Sequence, residues 1–84
     1  MIIEGIPSGD LECWCFLVDR ETFKRVTGEY PREPEKDETG YEMLWDVGRF
    51  AKENSPYRYM IYPHHLVGFD NRDKLVRISI EVEA

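Results

Sequence analysis

The chain has no long apolar run, no repeat, no low-complexity stretch and only two cysteines. No part of it approaches the roughly 20 consecutive apolar residues that cross a bilayer, and residues 1–4 lack the basic start and apolar core of a signal peptide. Cys13 and Cys15 are two positions apart, which is poor geometry for a disulfide between them on an extended chain. These absences predict a cytoplasmic protein with reduced thiols and no membrane partner.

Catalytic signatures are also absent: the chain has no glycine-rich phosphate loop, no nucleophile turn and no spaced carboxylate pair. Cys13, Cys15, His64 and His65 do supply thiolate and imidazole, the donors that zinc prefers. However, C-x-C is not the usual C-x-x-C loop, and adjacent histidines on an extended chain point apart. We therefore expect no metal, no cofactor and no enzymatic activity. A zinc-stabilised protein, or a small enzyme in which an imidazole activates a thiol, is the second alternative to the function proposed below.

Acidic residues are concentrated in one part of the chain. Residues 29–42 contain six acidic residues and two basic ones, and so carry −4 of the formal net charge of −6. A uniformly acidic surface repels nucleic-acid phosphates, whereas a local acidic loop beside a balanced body can meet a basic patch on another protein. Direct nucleic-acid binding is therefore disfavoured. Within this stretch, residues 29–39 have two prolines and no apolar periodicity, which predicts a surface loop.

The best-marked junction joins a strand directly to a helix. Residues 11–18 are apolar on both parities, which is typical of a strand covered on both faces, or of one whose second face meets another chain, as in a homodimer. Asp19 can accept the first free N–H groups of a helix, and Gly28 can adopt the left-handed conformation that commonly ends one. The pattern predicts a strand, a tight junction and a short helix.

The remaining strands are predicted by alternation and by turn residues. Residues 1–6 could form an edge strand that returns through a turn at 7–10 into a hairpin. Residues 57–62 are strand-prone and end at Pro63, after which 64–69 reads as a connecting turn. The clearest strand is 74–83, where four branched apolar residues alternate with polar ones: Val76, Ile78, Ile80 and Val82.

Residues 40–54 have two interpretations. Thr39 and Glu42 match a capping box, and Tyr41, Leu44 and Trp45 begin an apolar stripe at helical spacing. Tyr41, Met43, Trp45 and Val47 also alternate, which is the pattern of a strand that breaks at Gly48. The cap favours the longer helix.

Aromatic residues are plentiful for so short a chain, and they suggest recognition. Tyrosine and tryptophan dominate protein-interface hot spots because they bury a large area with few rotatable bonds. Aromatics on a sheet can also stack single-stranded bases. The first alternative is therefore a single-stranded nucleic-acid or nucleotide binder that uses a tyrosine-rich strand and nearby bases: Tyr57, Arg58, Tyr59 and Arg77.

Three stretches, 14–28, 62–66 (YPHHL) and 76–81 (VRISIE), resemble in style the small accessory proteins encoded by tailed phages and prophages. Anti-CRISPR and other counter-defence inhibitors are the leading example of that class. The resemblance implies a compact, acidic, non-enzymatic protein that acts by binding a host component. It transfers no functional residue.

Together these patterns predict a single small α+β domain over 1–84, with three to four mainly antiparallel strands, one short helix and one longer helix. The predicted function is to bind a host protein with a basic surface and to inhibit or redirect it, and a nucleic-acid-binding defence complex is one such candidate. The expected partner-binding residues lie in the acidic loop: Tyr30, Glu33, Glu35, Asp37 and Glu38.

Overall fold

The structure is a computed structural model that describes residues 2–9, 14–36, 40, 42–43, 45–48 and 50–83. In chain order the elements are β1 (Ile6–Gly9), β2 (Trp14–Val18), α1 (Arg20–Thr27), β3 (Glu35–Lys36), β4 (Glu42–Met43), β5 (Tyr59–Ile61), α2 (Pro63–Val67) and a 3-10 turn (Phe69–Asn71). Three antiparallel strands form one sheet in the order β1-β2-β5, and two short strands, β3 and β4, form a separate antiparallel pair. The predicted α+β class and its antiparallel strands are confirmed.

β2 is the central strand, as its apolar residues predict. Its partners are β1, with Ile6 opposite Leu17, and β5, with Val18 opposite Tyr59. Alternate side chains leave opposite faces of the sheet. One face carries the main core, in which Val18, Phe23, Val47, Tyr59 and Ile61 are buried. Leu17, of the other parity, is also buried.

The helix α1 forms where the sequence predicts a short helix. The Asp19 carboxylate accepts a hydrogen bond from the Thr22 N–H at 2.8 Å, and Gly28 ends the helix with a left-handed φ of 92°. Its apolar side packs on the sheet through Phe23, whose ring meets the Tyr59 ring edge-on. The junction prediction is therefore confirmed.

An N-terminal hairpin forms, but not from the predicted segments. The edge strand predicted over 1–6 is wrong for residues 2–5, and residues 7–9 of the predicted turn belong to β1, so the connection to β2 falls at 10–13, outside the described residues.

The connecting turn predicted over 64–69 is wrong for its first part, because residues 64–67 belong to the short helix α2, from which Leu66 packs against the core. The acidic loop contains β3 at its distal end.

The longer helix predicted over 40–54 is wrong for the described residues of that range. Residues 42–43 are a strand, and the backbone of 46–48 lies along the outer edge of β5. The Gly48 N–H donates to the Arg58 carbonyl at 2.8 Å, and the Met60 N–H donates to the Asp46 carbonyl at 2.7 Å. A helix would forfeit these bonds and the burial of Val47. Residues 39 and 41 of the proposed capping box lie outside the described residues.

The strand predicted over 74–83 is also wrong as a member of this sheet. Asp73 has a left-handed φ of 64°, and residues 74–83 beyond it form neither helix nor strand, with every residue exposed. The physical reason is a lack of sheet edges: 46–48 occupies the outer edge of β5, and the outer strand β1 contains Pro7, which has no N–H to donate.

Candidate partner-binding surface

The acidic loop is fastened to the body of the protein at three points, the first of which is Tyr30. The Tyr30 ring lies on helix α1. Its centroid is 3.9 Å from the Arg20 guanidinium carbon and 4.4 Å from the Lys24 ammonium nitrogen. Its hydroxyl also donates to the Glu21 carboxylate at 3.4 Å. The attraction of these two cations to the aromatic ring holds it against the helix, yet 42% of the residue stays exposed.

The second point is a bidentate salt bridge between Arg32 and Asp46. Arg32 Nε and Nη2 donate to the two carboxylate oxygens of Asp46 at 3.2 and 3.1 Å, and the Arg32 backbone N–H donates to the same carboxylate at 2.7 Å. The Arg32 guanidinium also lies 4.8 Å from the Trp45 ring centre. These hydrogen bonds from Arg32 hold the pKa of Asp46 below its ordinary value, against an opposing effect of burial.

The third point joins the loop to the core strand β5. The Tyr59 hydroxyl donates to Glu33 Oε1 at 2.7 Å, while the Tyr59 ring is buried against Phe23. Burial raises the pKa of Tyr59, and the Glu33 carboxylate raises it further because a phenolate there would meet another negative charge. The phenol therefore remains a donor at neutral pH, and it fixes the position of Glu33.

The five predicted partner-binding residues divide into three groups. Tyr30 and Glu33 are both exposed and engaged by the body of the protein, as described above. Glu35 is exposed in β3, where it pairs with Met43 across the short ribbon. Asp37 and Glu38 lie outside the described residues. Glu29, at the start of the loop, is a further exposed carboxylate on the same segment.

Beside the loop lies a shallow depression of mixed charge. Basic and acidic side chains alternate around it, and Tyr59 contributes to its lining: Asp19, Arg20, Glu21, Pro56, Arg58 and Tyr59. Neighbouring charges of opposite sign balance one another there. The depression, with two acidic and two basic side chains, therefore carries no net formal charge, in contrast to the acidic loop.

The four residues of the nucleic-acid alternative do not form one exposed platform. Tyr59 is only 7% exposed, and its ring belongs to the core. Tyr57 and Arg58 are half-buried, and Arg77 lies on the extended C-terminal segment. Base stacking needs an open ring face, which Tyr59 does not offer.

The residues considered for zinc fall into two environments. Cys15 is half-buried in β2, and Cys13 lies outside the described residues. In α2, His65 Nδ1 accepts the Tyr62 N–H at 2.9 Å, and burial together with the adjacent His64 lowers the pKa of His65. Within the described ranges, no group of three or more His, Cys, Asp or Glu side chains is arranged to hold a metal ion.

Sequence patterns missed Arg32 and Asp46, the pair that fastens the middle of the loop. The two residues are 14 positions apart, and no periodicity or motif connects them. No local signal was available, because Asp46 lies off the apolar stripe of the predicted helix, where a charged residue is ordinary.

In the part of the chain that the structure describes, no helix is long and apolar enough to cross a membrane. No protein-family model matches the chain, and neither the curated proteins nor the solved structures contain a match to it.

Proposed function

We propose that this chain is a small non-enzymatic protein that binds a basic surface on a host protein through the acidic segment 29–39, and so inhibits or redirects that protein. The observation that carries the proposal is the fastening of an exposed acidic segment at Tyr30, Arg32 and Glu33. The resemblance to phage accessory proteins supplies the expectation that the partner belongs to the host.

Fastening matters because binding costs conformational entropy when a loop must be ordered. A segment already held in one shape loses less entropy on contact with a partner than a free loop does. Glu29 and Glu35 lie on either side of the fastened residues and are exposed. The segment thus presents carboxylates at defined positions, which is what electrostatic complementarity requires for specificity.

Tyr30 gives the surface an apolar anchor beside the charges. Its ring is held by Arg20 and Lys24 from one side, and the exposed part of the residue adjoins the acidic segment. A rigid tyrosine next to charged residues is a common arrangement at protein-interface hot spots. We expect the partner to contact both the ring and the carboxylates.

The proposal is tested by affinity capture of the tagged full chain from a bacterial lysate, with nuclease treatment in a parallel sample. The informative variant is Glu35→Lys/Asp37→Lys/Glu38→Lys, which reverses three loop charges and leaves Glu33 bonded to Tyr59. Its matched control, Glu4→Lys/Glu53→Lys/Asp70→Lys, makes the same change in net charge at three exposed positions elsewhere.

The expected result is a nuclease-resistant, stoichiometric protein that is captured by the wild type and by the control but not by the loop variant. Capture should also weaken as salt rises, since exposed charges are screened. Equal capture by both variants would overturn the role of the loop. Recovery of nucleic acid alone, lost after nuclease treatment, would favour the nucleic-acid alternative and make Tyr57, Arg58 and Arg77 the next residues to substitute.

A further inference from the structure

The C-terminal segment, residues 74–83, has the pattern of a strand but pairs with no strand in the part of the chain described. Its apolar residues are strongly exposed: Leu75 by 90%, Val76 by 45%, Ile78 by 61%, Ile80 by 82% and Val82 by 90%. Monomeric proteins rarely expose contiguous apolar surface on this scale without using it for binding. A segment with this alternation, once extended, offers rows of N–H and C=O groups for pairing.

The sheet of the same chain is poorly suited to receive this segment. Residues 46–48 already bond to the outer edge of β5. The outer edge of β1 contains Pro7, which breaks the row of donors. Neither outer edge of the three-stranded sheet is therefore open along its length to a further strand.

We propose that residues 74–83 pair with the same segment of a second copy of this chain, antiparallel and centred on Ser79. In that register Val76 lies opposite Val82 of the second copy, and Ile78 lies opposite Ile80. The four branched residues of each copy then lie on one face of the ribbon, each beside a branched residue of the other copy. Pairs of β-branched side chains are among those that stabilise antiparallel strands, and a two-fold axis repeats each pair.

Charge complementarity selects the same register. On the polar face, Arg77 of each copy lies opposite Glu81 of the other, which gives two pairs of opposite charge, and Ser79 meets its own equivalent on the axis. A parallel, in-register arrangement would instead place Arg77 against Arg77 and Glu81 against Glu81, and like charges opposite each other are destabilising.

Other antiparallel registers lose one of these advantages. Moving the centre to Ile78 places Arg77 opposite Ser79 and Lys74 opposite Val82, so both Arg77–Glu81 pairs are lost. Shifting the pairing by one residue sets the apolar side of one strand against the polar side of the other. The sequence of the segment thus complements itself best about Ser79.

A two-fold axis at Ser79 relates the two copies, so each copy presents the same edge of the segment to the other and the contact is self-complementary. A two-stranded ribbon alone is only marginally stable in water, so the dimer depends on protein concentration by mass action. The proposal concerns a different surface from the acidic segment 29–39, and either proposal can fail without the other.

The test is sedimentation equilibrium of the full chain over a range of concentrations. The wild type should approach twice the chain mass of 10.0 kDa. Arg77→Glu, which makes both charge pairs repulsive, should weaken dimerisation by about tenfold or more. Lys52→Glu makes the same charge change at an exposed position outside the segment, and it should dimerise like the wild type.

The double variant Arg77→Glu/Glu81→Arg gives the decisive result, because it restores opposite charges only in the antiparallel register about Ser79. Its dimerisation should return to near the wild-type level. A wild type that stays monomeric at every concentration, an open-ended aggregate in place of a dimer, or a double variant as weak as Arg77→Glu would each overturn the proposal. Near-ultraviolet circular dichroism of each variant checks that the tryptophan environments are retained.

Discussion

The Tyr59 hydroxyl and the Glu33 carboxylate form a 2.7 Å hydrogen bond between residues 26 positions apart in the chain. Tyr59 belongs to the core strand β5, and Glu33 belongs to the acidic loop. One side chain therefore packs its ring in the core and uses its hydroxyl to position a residue of the candidate binding surface. This arrangement couples the stability of the fold to the shape of the loop.

Tyr59→Phe should lower the free energy of unfolding by about 1 kcal/mol, because the substitution removes one hydrogen bond and keeps the ring that packs on Phe23. Denaturant unfolding measures the change as a shift in midpoint at constant slope. Tyr57→Phe is the matched control, since the Tyr57 hydroxyl makes no hydrogen bond within the described chain. Equal midpoints for the two variants would show that the bond contributes nothing.

The same tyrosine predicts a loss of stability in alkali. Its pKa is raised in the folded protein, so the folded state holds the phenol proton more tightly than the unfolded state does. The resulting stabilisation is complete below the ordinary tyrosine pKa and is lost as pH rises through the higher folded value. Tyr59→Phe should remove this part of the alkaline decline. An identical decline in the wild type and the variant would contradict the assignment.

Asp46 predicts a loss of folding stability in acid, the opposite pH dependence to that of Tyr59. Hydrogen bonds from Arg32 hold the Asp46 pKa below its ordinary value of 3.8, so the stabilisation is present above that value and is lost as pH falls through the lower folded one. We expect Asp46→Asn to lower stability at neutral pH and to flatten the acid limb of the curve. Asp70→Asn, at an exposed position, is the control. A variant with an unchanged acid limb would exclude Asp46 as its source.

Local signals in the sequence predicted α1 because both of its ends are set by neighbours in the chain. Asp19 accepts from Thr22, and Gly28 adopts the left-handed conformation, without help from distant residues. The helix predicted over 40–54 failed because long-range pairing of 46–48 with β5 won over helical spacing. That same pairing occupies an edge that the strand predicted over 74–83 could have used.

The candidate surface was only partly predictable for the same reason. Charge clustering identified the acidic loop, since clustering is a property of neighbouring residues. The contacts that fasten the loop join Arg32 to Asp46 and Glu33 to Tyr59, across 14 and 26 positions. No local pattern distinguishes these pairs from the other charged and aromatic residues of the chain.

Asp19 provides a test of the helix cap. Asp19→Ala removes the acceptor for the Thr22 N–H and should lower the free energy of unfolding by about 1 kcal/mol. Asp19→Asn keeps a side-chain oxygen in the same place and should retain most of the stability. If the two substitutions were equally destabilising, the charge of Asp19 and not its hydrogen bond would be the source of the effect.

Gly48 lies where 46–48 crosses Leu17, and its lack of a side chain permits that approach. A methyl group at Gly48 would overlap Leu17 Cδ2 and would come within 3.3 Å of Met60 Cγ. Leu17 is only 2% exposed and has little room to move. Gly48→Ala should therefore destabilise the fold by about 1–3 kcal/mol through overpacking.

A double-mutant cycle with Leu17→Ala separates this overlap from a general effect of the substitution. Leu17→Ala alone should cost about 2–5 kcal/mol because it leaves a cavity. In the double variant the alanine methyl at 48 would partly fill that cavity, so the combined loss should be smaller than the sum of the two single losses. Strict additivity in denaturant unfolding would mean that Gly48 and Leu17 do not contact each other, and that 46–48 does not cover the sheet at this point.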